Sequence, residues 1–117
     1  MPSARSRAML RKQIARLAAM NMSSYFASEL EFYLFDETYD SAQAKFWQDI
    51  KTTGNYIQDY HVLQTTKEEG VMRAIRNGLQ GAGIVVENSK GEWGPGQEEI
   101  NVRYADPLTM EIGRAHV

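Results

Sequence analysis

The chain of 117 residues contains no cysteine, only three prolines and no long uninterrupted hydrophobic segment. The absence of cysteine excludes disulfides, thiolate metal sites and thiol catalysis, so nothing requires an oxidising compartment. No apolar segment approaches the roughly 20 residues that span a bilayer, and Arg and Lys interrupt the apolar residues near the start, unlike those of a signal peptide. We therefore expect a single cytoplasmic domain, or part of a larger protein, with no membrane partner.

A basic excess is also lacking. Thirteen Lys and Arg residues stand against fifteen Asp and Glu residues, which gives a net charge of -2. Five of the cations lie in residues 1–20, which contain no acid, so residues 21–117 hold eight cations and all fifteen acids. This acidic balance does not favour a nucleic-acid partner, and the basic residues near the start are interpreted as the solvated face of a helix.

Hydrophobic periodicity predicts two main helices. Apolar residues at three- and four-residue steps predict an amphipathic helix over residues 8–20. A second apolar stripe predicts a helix over residues 66–80, which a capping box of Thr66 and Glu69 would begin and the glycines after residue 80 would end.

The remaining pattern predicts strands and irregular segments. The aromatic residues 25–35, which contain no Gly or Pro, are typical of a strand, and residues 84–87 and 100–104 predict two more. A glycine-rich loop is expected over residues 88–97, and an irregular segment over residues 36–64, with a short helix around residues 42–50. The predicted fold class is therefore α+β, with an antiparallel-rich curved sheet and packed helices.

Four glutamates stand out because of where these elements place them. Glu29 and Glu31, two residues apart on one strand, project from the same face with attachment points roughly 7 Å apart. Glu92 and Glu99 bracket the glycine-rich turn, whose chain reversal can bring them together. Clustered carboxylates either take up protons or need a cation between them, and Mg²⁺ and Mn²⁺ prefer such oxygen ligands. Two acids at this spacing alone are more typical of the solvated face of a sheet, although aromatic residues share this face.

Two motifs, in this order, resemble the catalytic domain of the glutamine synthetase family. Residues 28–35, SELEFYLF, resemble the E-x-E-F-x-L-F strand of that family. Residues 87–100, ENSKGEWGPGQEEI, resemble its segment that ends in P-G-Q-x-E-[IV]. Residues 1–110 are therefore identified as a partial catalytic domain of the glutamine synthetase type.

The resemblance implies a ligase that forms a carbon–nitrogen bond. Such enzymes use ATP to phosphorylate glutamate to γ-glutamyl phosphate, and ammonia or a larger amine then displaces phosphate to give a γ-glutamyl amide. The implied partners are glutamate, ATP and the amine, and the implied cofactor is Mg²⁺ or Mn²⁺. The whole protein is expected to be a homo-oligomer.

The resemblance also implies roles for six residues, none of them catalytic in the strict sense. Three glutamates match the ligands of the family's first metal site, a fourth matches a ligand of its second, and two further residues match the nucleotide pocket. The implied ligands of the first metal site are Glu31, Glu92 and Glu99, and the implied ligand of the second is Glu29. The implied nucleotide-pocket residues are Glu87 and Tyr104.

One departure from the commonest form of the family concerns the amine. Ammonia-using members typically have histidines just before the first loop glutamate, whereas this chain has Ser89, Lys90 and Gly91, and Trp93 follows Glu92. This arrangement is similar to relatives that join glutamate to polyamines or ethanolamine. The acceptor amine therefore stays open.

The resemblance further implies that the chain is a fragment. The small amino-terminal β domain of the family has no counterpart, and neither do the later histidine, glutamate and arginines of its active site. The fragment alone is expected to be inactive, because carboxylates without the cationic half of the site cannot bind anionic substrates productively. Residues 111–117 depart from the family and are interpreted as a non-native tail from readthrough into adapter sequence, which the coding DNA would decide; His116 is accordingly not counted as a ligand.

A non-catalytic module remains the alternative. Such a module would keep the sheet and use its acidic face to bind cations or a partner protein. Retention of all four glutamates, with a Gly-Pro-Gly-Gln turn between two of them, favours the ligase.

Overall fold

The computed structural model describes residues 4–114. Within this range the chain forms five α-helices, a short 3₁₀ turn and three strands. In chain order these are α1 (Ala4–Ala19), β1 (Phe26–Tyr33), α2 (Tyr39–Ala44), α3 (Val62–Thr65), the 3₁₀ turn (Thr66–Glu68), α4 (Glu69–Gly81), β2 (Val86–Gly91), β3 (Gln97–Ala105) and α5 (Pro107–Arg114). Across these described residues, none of the helices has the length and apolar character needed to cross a membrane.

The three strands form one antiparallel sheet in the order β1-β3-β2. The predicted first and third strands are confirmed. The second strand is wrong in extent, because it begins at Val86 and continues to Gly91, well into the predicted loop. Its polar residues carry no apolar alternation, yet Asn88 and Lys90 pair with Asn101 and Glu99 of β3. The true turn is therefore confined to residues 92–96.

The main predicted helices are present, but one predicted cap is wrong. The chain is already helical before Thr66, whose Oγ1 donates to the carbonyl of Val62 at 2.7 Å, so Thr66 cannot cap α4. A true capping box begins α2 instead: Ser41 N donates to Thr38 Oγ1, and Thr38 N donates to Ser41 Oγ, both at 3.0 Å. The short helix of the irregular segment therefore begins earlier than residue 42.

The predicted end of α4 is confirmed. Gly83 has a φ of +78°, a left-handed conformation that glycine adopts without a Cβ penalty. Beyond it, Ile84 N donates to the carbonyl of Leu79 at 2.9 Å. This bond across the last turn is the Schellman arrangement, and it directs the chain from α4 into β2.

Helices pack around a small core. Met72 of α4 and Ile100 of β3 are buried, as is Ala42 of α2. The first and last helices also pack together, and there Arg7 Nε of α1 donates to Glu111 Oε2 of α5 at 3.0 Å. Residues 111–114 of the predicted tail continue α5, and residues 115–117, with His116, lie outside the described residues.

One face of the sheet borders an apolar groove of about 430 Å³. Leu30 and Ile100 of the sheet line it, together with Leu79 of α4 and Met110 of α5. Leu30 remains 51% exposed, so apolar surface of this sheet face stays open to solvent. The opposite face of β1 carries Glu31 and is the polar side of the sheet.

Glu98 of β3 is a buried acid without a partner. Its side chain is fully buried, and neither carboxylate oxygen has a hydrogen-bond partner within residues 4–114. Burial, with a smaller contribution from the charge of Glu68, raises the pKa of Glu98 to about 7. A carboxyl group in this position favours its neutral form.

Replacement of Glu98 by Gln is expected to remove a pH dependence of stability. The folded chain holds this proton up to about pH 7, whereas an unfolded glutamate loses it near about pH 4.3. The folded state therefore binds more protons in this window, and the free energy of unfolding falls as the pH rises through it. Glu98→Gln should flatten that fall and raise the free energy of unfolding at pH 8 by about 1–3 kcal/mol.

Urea unfolding from pH 4 to pH 8 measures the effect. Glu29→Gln, which changes an exposed glutamate of β1, is the matched control. An equal slope in the wild-type chain and in Glu98→Gln would contradict the assignment.

Candidate active site

A row of three charged side chains crosses the polar face of the sheet. Glu31 of β1 lies directly opposite Glu99 of β3, and Glu99 lies directly opposite Lys90 of β2. Residues opposite one another on antiparallel strands share a face and lie about 4.5–5.5 Å apart. The register therefore gathers two of the predicted metal ligands and one lysine into a single line.

Glu92 joins this row from the turn after β2. Its backbone N donates to the carbonyl of Gln97 at 2.8 Å, which closes the turn over residues 92–96. Its carboxyl group hydrogen-bonds that of Glu99. This contact lowers the pKa of Glu92 and raises the pKa of Glu99, and burial of Glu99 adds to its own rise. The two groups therefore titrate as a pair, in which Glu92 loses its proton at a lower pH than Glu99.

Lys90 supplies the positive charge at the centre of the acidic residues. Its Nζ is bonded to Glu92 Oε1 and lies 3.3 Å from Asp59 Oδ1 and 3.7 Å from Glu99 Oε2. The ammonium also lies 5.3 Å from the centre of the Tyr60 ring. The hydrogen bond to Glu92 is the main cause that raises the pKa of Lys90 above its usual value. Lys90 thus remains a cation at neutral pH.

The glutamine of the Gly-Pro-Gly-Gln turn holds Glu31 in position. Gln97 Nε2 donates to Glu31 Oε2 at 2.8 Å. The amide oxygen of the same side chain accepts from Tyr33 Oη at 3.1 Å and from Gly94 N at 2.9 Å. Gln97 therefore links Glu31 to the backbone of the turn that carries Glu92.

A buried glutamine from the irregular segment fixes this turn from behind. Gln58 is fully buried; its N donates to the carbonyl of Glu92, and its Oε1 accepts from Gly96 N, both at 3.1 Å. The backbone passes so close at Gly91 that a Cβ there would lie 2.5 Å from the Cβ of Gln58. Gln58 thereby fixes the position at which β2 ends and the turn with Glu92 begins.

Sequence reasoning missed Gln58 and Asp59. Both lie in the segment predicted to be irregular, where no periodicity marks a buried polar side chain. The adjacent Gly91 could have indicated a close backbone approach, since a glycine inside a strand often does. Nothing in the sequence indicates that residue 58 is what approaches it.

The four predicted metal ligands are not all brought together. Glu31 lies next to Glu99 by strand register and Glu92 contacts Glu99 through its side chain, whereas Glu29 lies exposed one pleat further along β1, opposite Asn101. Across residues 4–114, no three acidic or histidine side chains are arranged to hold a metal ion. The oxygen donors suit Mg²⁺ or Mn²⁺ chemically, but Lys90 takes up oxygens of Glu92 and Glu99, and Gln97 takes up one of Glu31.

The two residues predicted for the nucleotide pocket lie away from this row. Glu87 and Tyr104 are both exposed. Glu87 sits where the pairing of β2 shifts register, between Val86 and Asn88. The Tyr104 ring packs edge-on against that of Tyr25, with 5.8 Å between ring centres. Their role in nucleotide binding stays a prediction.

Comparison with known sequences identifies the class of domain to which this α+β fold and its row of acids belong. Residues 3–111 match the family described as "Glutamine synthetase, catalytic domain". The chain belongs to the glutamine synthetase family, as the two motifs indicated.

Several ligases and synthetases are similar to the chain in sequence. It is 41% identical over 102 residues to a gamma-glutamylethanolamide synthetase of Streptomyces coelicolor, and 35% identical over 102 residues to a glutamate–isopropylamine ligase of a Pseudomonas species. Each match covers 87% of this chain and 22% of the relative. A glutamine synthetase of Mycolicibacterium smegmatis is 32% identical over 105 residues, which are 90% of this chain and 22% of that protein.

The chain thus spans about a fifth of the length of these relatives. The predicted similarity to glutamate–amine ligases within the family is confirmed, and so is the fold class, a partial catalytic domain of mixed α+β type. The division at residue 110 stays a prediction.

Replacement of Gly91 by Ala is expected to destabilise the site. The added Cβ would meet Gln58 Cβ at 2.5 Å and the carbonyl oxygen of Gln58 at 3.0 Å, so the backbone must move. A loss of about 1–3 kcal/mol in the free energy of unfolding should result. Thermal unfolding measures it, with Gly78→Ala as the control, since that position in α4 has open space for a Cβ and should gain about 0.5–1 kcal/mol. Two variants of equal stability would contradict the close approach.

Proposed function

We propose that this chain is part of an ATP-dependent ligase that joins an amine to the γ-carboxylate of glutamate through γ-glutamyl phosphate. The observation that supports it most is that Glu31 and Glu92 each lie next to Glu99 at the polar face of the sheet, in a chain of this family. Phosphoryl transfer needs positive charge around the transferring group, and metal ions that supply this charge are usually held by carboxylates. The reaction is therefore assigned to the polar face of the sheet.

Mg²⁺ or Mn²⁺ is the proposed cofactor and ATP the proposed co-substrate. Glu31, Glu92 and Glu99 are the proposed ligands of one ion and Glu29 of another, while Glu87 and Tyr104 are assigned to the nucleotide pocket. When bound, such an ion would neutralise charge on phosphoryl oxygens. The chain's own contribution is positional: Gln97 orients Glu31, and Gln58 anchors the turn that carries Glu92.

A larger amine is the favoured acceptor. Two relatives are named for ethanolamide and isopropylamine products or substrates. Lys90 and Gly91 stand before Glu92, and the neighbouring Trp93 ring is 70% exposed. Ammonia remains the alternative because other relatives are glutamine synthetases. We further propose that the whole protein is a homo-oligomer.

A cation- or partner-binding module without catalysis is the second candidate. The observation that favours it is the pairing of Lys90 with three carboxylates, which balances acidic charge without a metal ion. Two measurements distinguish the two candidates: the affinity of the chain for Mn²⁺, and the ligase activity of a chimeric enzyme that contains this segment.

Loss of Glu31 or Glu92 is expected to weaken Mn²⁺ binding by the chain. Each variant, Glu31→Ala and Glu92→Ala, removes one charged oxygen donor and should lower the affinity at least about tenfold. Electron paramagnetic resonance of free Mn²⁺ measures this, and Asp40→Ala, an exposed acid of α2, controls for net charge. Unchanged affinity in both glutamate variants would rule out the metal-site assignment.

Transplantation tests the ligase itself. Residues 3–111 would replace the matching segment of the Streptomyces coelicolor gamma-glutamylethanolamide synthetase. The chimera should release phosphate from ATP with glutamate and ethanolamine, and Glu92→Gln should lower that rate at least about 100-fold. Asp40→Asn should leave it unchanged. A chimera that assembles and works equally well without Glu92 would refute the assignment.

A further inference from the structure

One ammonium group lies among three carboxylates at the polar face of the sheet. Lys90 Nζ is bonded to Glu92 and lies 3.3 Å from Asp59 and 3.7 Å from Glu99. The Glu99 side chain is only 7% exposed, and that of Glu92 only 17%. Both acids are thus largely removed from bulk solvent, so the lysine is their main source of compensating charge.

A divalent ion would require the same oxygens. Glu92 and Glu99 are two of the three proposed ligands of the first ion, and both face Lys90. A doubly charged ion bound to them would lie within a few ångströms of the ammonium, where like charges repel strongly outside bulk water. The lysine in its present position and the metal ion therefore exclude one another.

The surroundings of Lys90 offer it a second position. Asp59 is more exposed than either glutamate, with 22% of its side chain accessible, and it belongs to the segment beside β2 and not to the sheet. The Tyr60 ring lies next to it, 5.3 Å from the ammonium. Lys90, itself 34% exposed, can keep both of these partners while it leaves Glu92 and Glu99.

We propose that Lys90 is a built-in competitor of the divalent metal: its ammonium neutralises Glu92 and Glu99, and metal binding displaces it towards Asp59 and Tyr60. This proposal rests on the proposed metal site. It assigns Lys90 a regulatory role, since the lysine sets the metal concentration at which the site fills.

Removal of the ammonium is the direct test. In the chain of residues 1–117, Lys90→Met should bind Mn²⁺ at least about tenfold more tightly than the wild type, because one opposite charge at this distance changes a carboxylate's affinity for a cation by about one to three orders of magnitude. Electron paramagnetic resonance of free Mn²⁺ gives the affinity, and circular dichroism verifies the fold. Lys51→Met is the matched control, since Lys51 also pairs with an acid, Asp36, at 2.6 Å, outside the cluster.

The outcomes separate this proposal from the one on which it depends. Tighter binding by Lys90→Met that is lost in Lys90→Met with Glu92→Gln supports both. Equal or weaker binding by Lys90→Met overturns the competition, whether or not Glu92→Ala weakens binding in the wild-type background. Binding by neither chain also overturns it, and tightening of the same size in Lys51→Met would reduce the effect to net charge. Lys90→Gln replaces Lys90→Met if the latter fails to fold.

Discussion

Repulsion between acidic side chains on one sheet face is the constraint on which this structure depends. The pairing of β1 with β3 places Glu31 opposite Glu99, and the turn adds Glu92. Three contacts offset this repulsion: the side-chain hydrogen bond between Glu92 and Glu99, the ammonium of Lys90, and the amide of Gln97. Each satisfies carboxylate oxygens that would otherwise lie unpaired in a partly dry site.

The geometry of the turn depends on two glycines, Gly94 and Gly96, and on the neighbouring ring of Tyr33. A Cβ at Gly94 would meet Tyr33 Oη at 2.5 Å, and Gly96 has a φ of +75°. These conformations let Gly94 N donate to the side chain of Gln97 and Gly96 N donate to the side chain of Gln58. The glycines of the family motif therefore allow side-chain contacts as well as the reversal of the chain. These contacts in turn fix the positions of the acidic side chains.

The sequence was most informative where periodicity is strong. The alternation in β1 and β3 and the apolar stripe of α4 were sufficient to place those elements, and the two motifs were sufficient to name the family. The extent of β2 was predicted wrongly, because its polar residues show no alternation and the strand forms through its pairing with β3. The cap at Thr66 was also wrong, because its hydroxyl donates backward to the carbonyl of Val62. The contacts of Gln58 and Lys90 could not be predicted, because each depends on which distant backbone passes beside it.

The pairing of β1 with β3 has a consequence for how the site arises. Glu31 and Glu99 are register partners separated by most of the chain, and closing so long a loop costs conformational entropy before any local contact repays it. During synthesis, β1 emerges with its acids long before the strand that must receive them. A nascent chain therefore carries Glu29 and Glu31 without their partners until β3 is complete, so the acidic row cannot form before then.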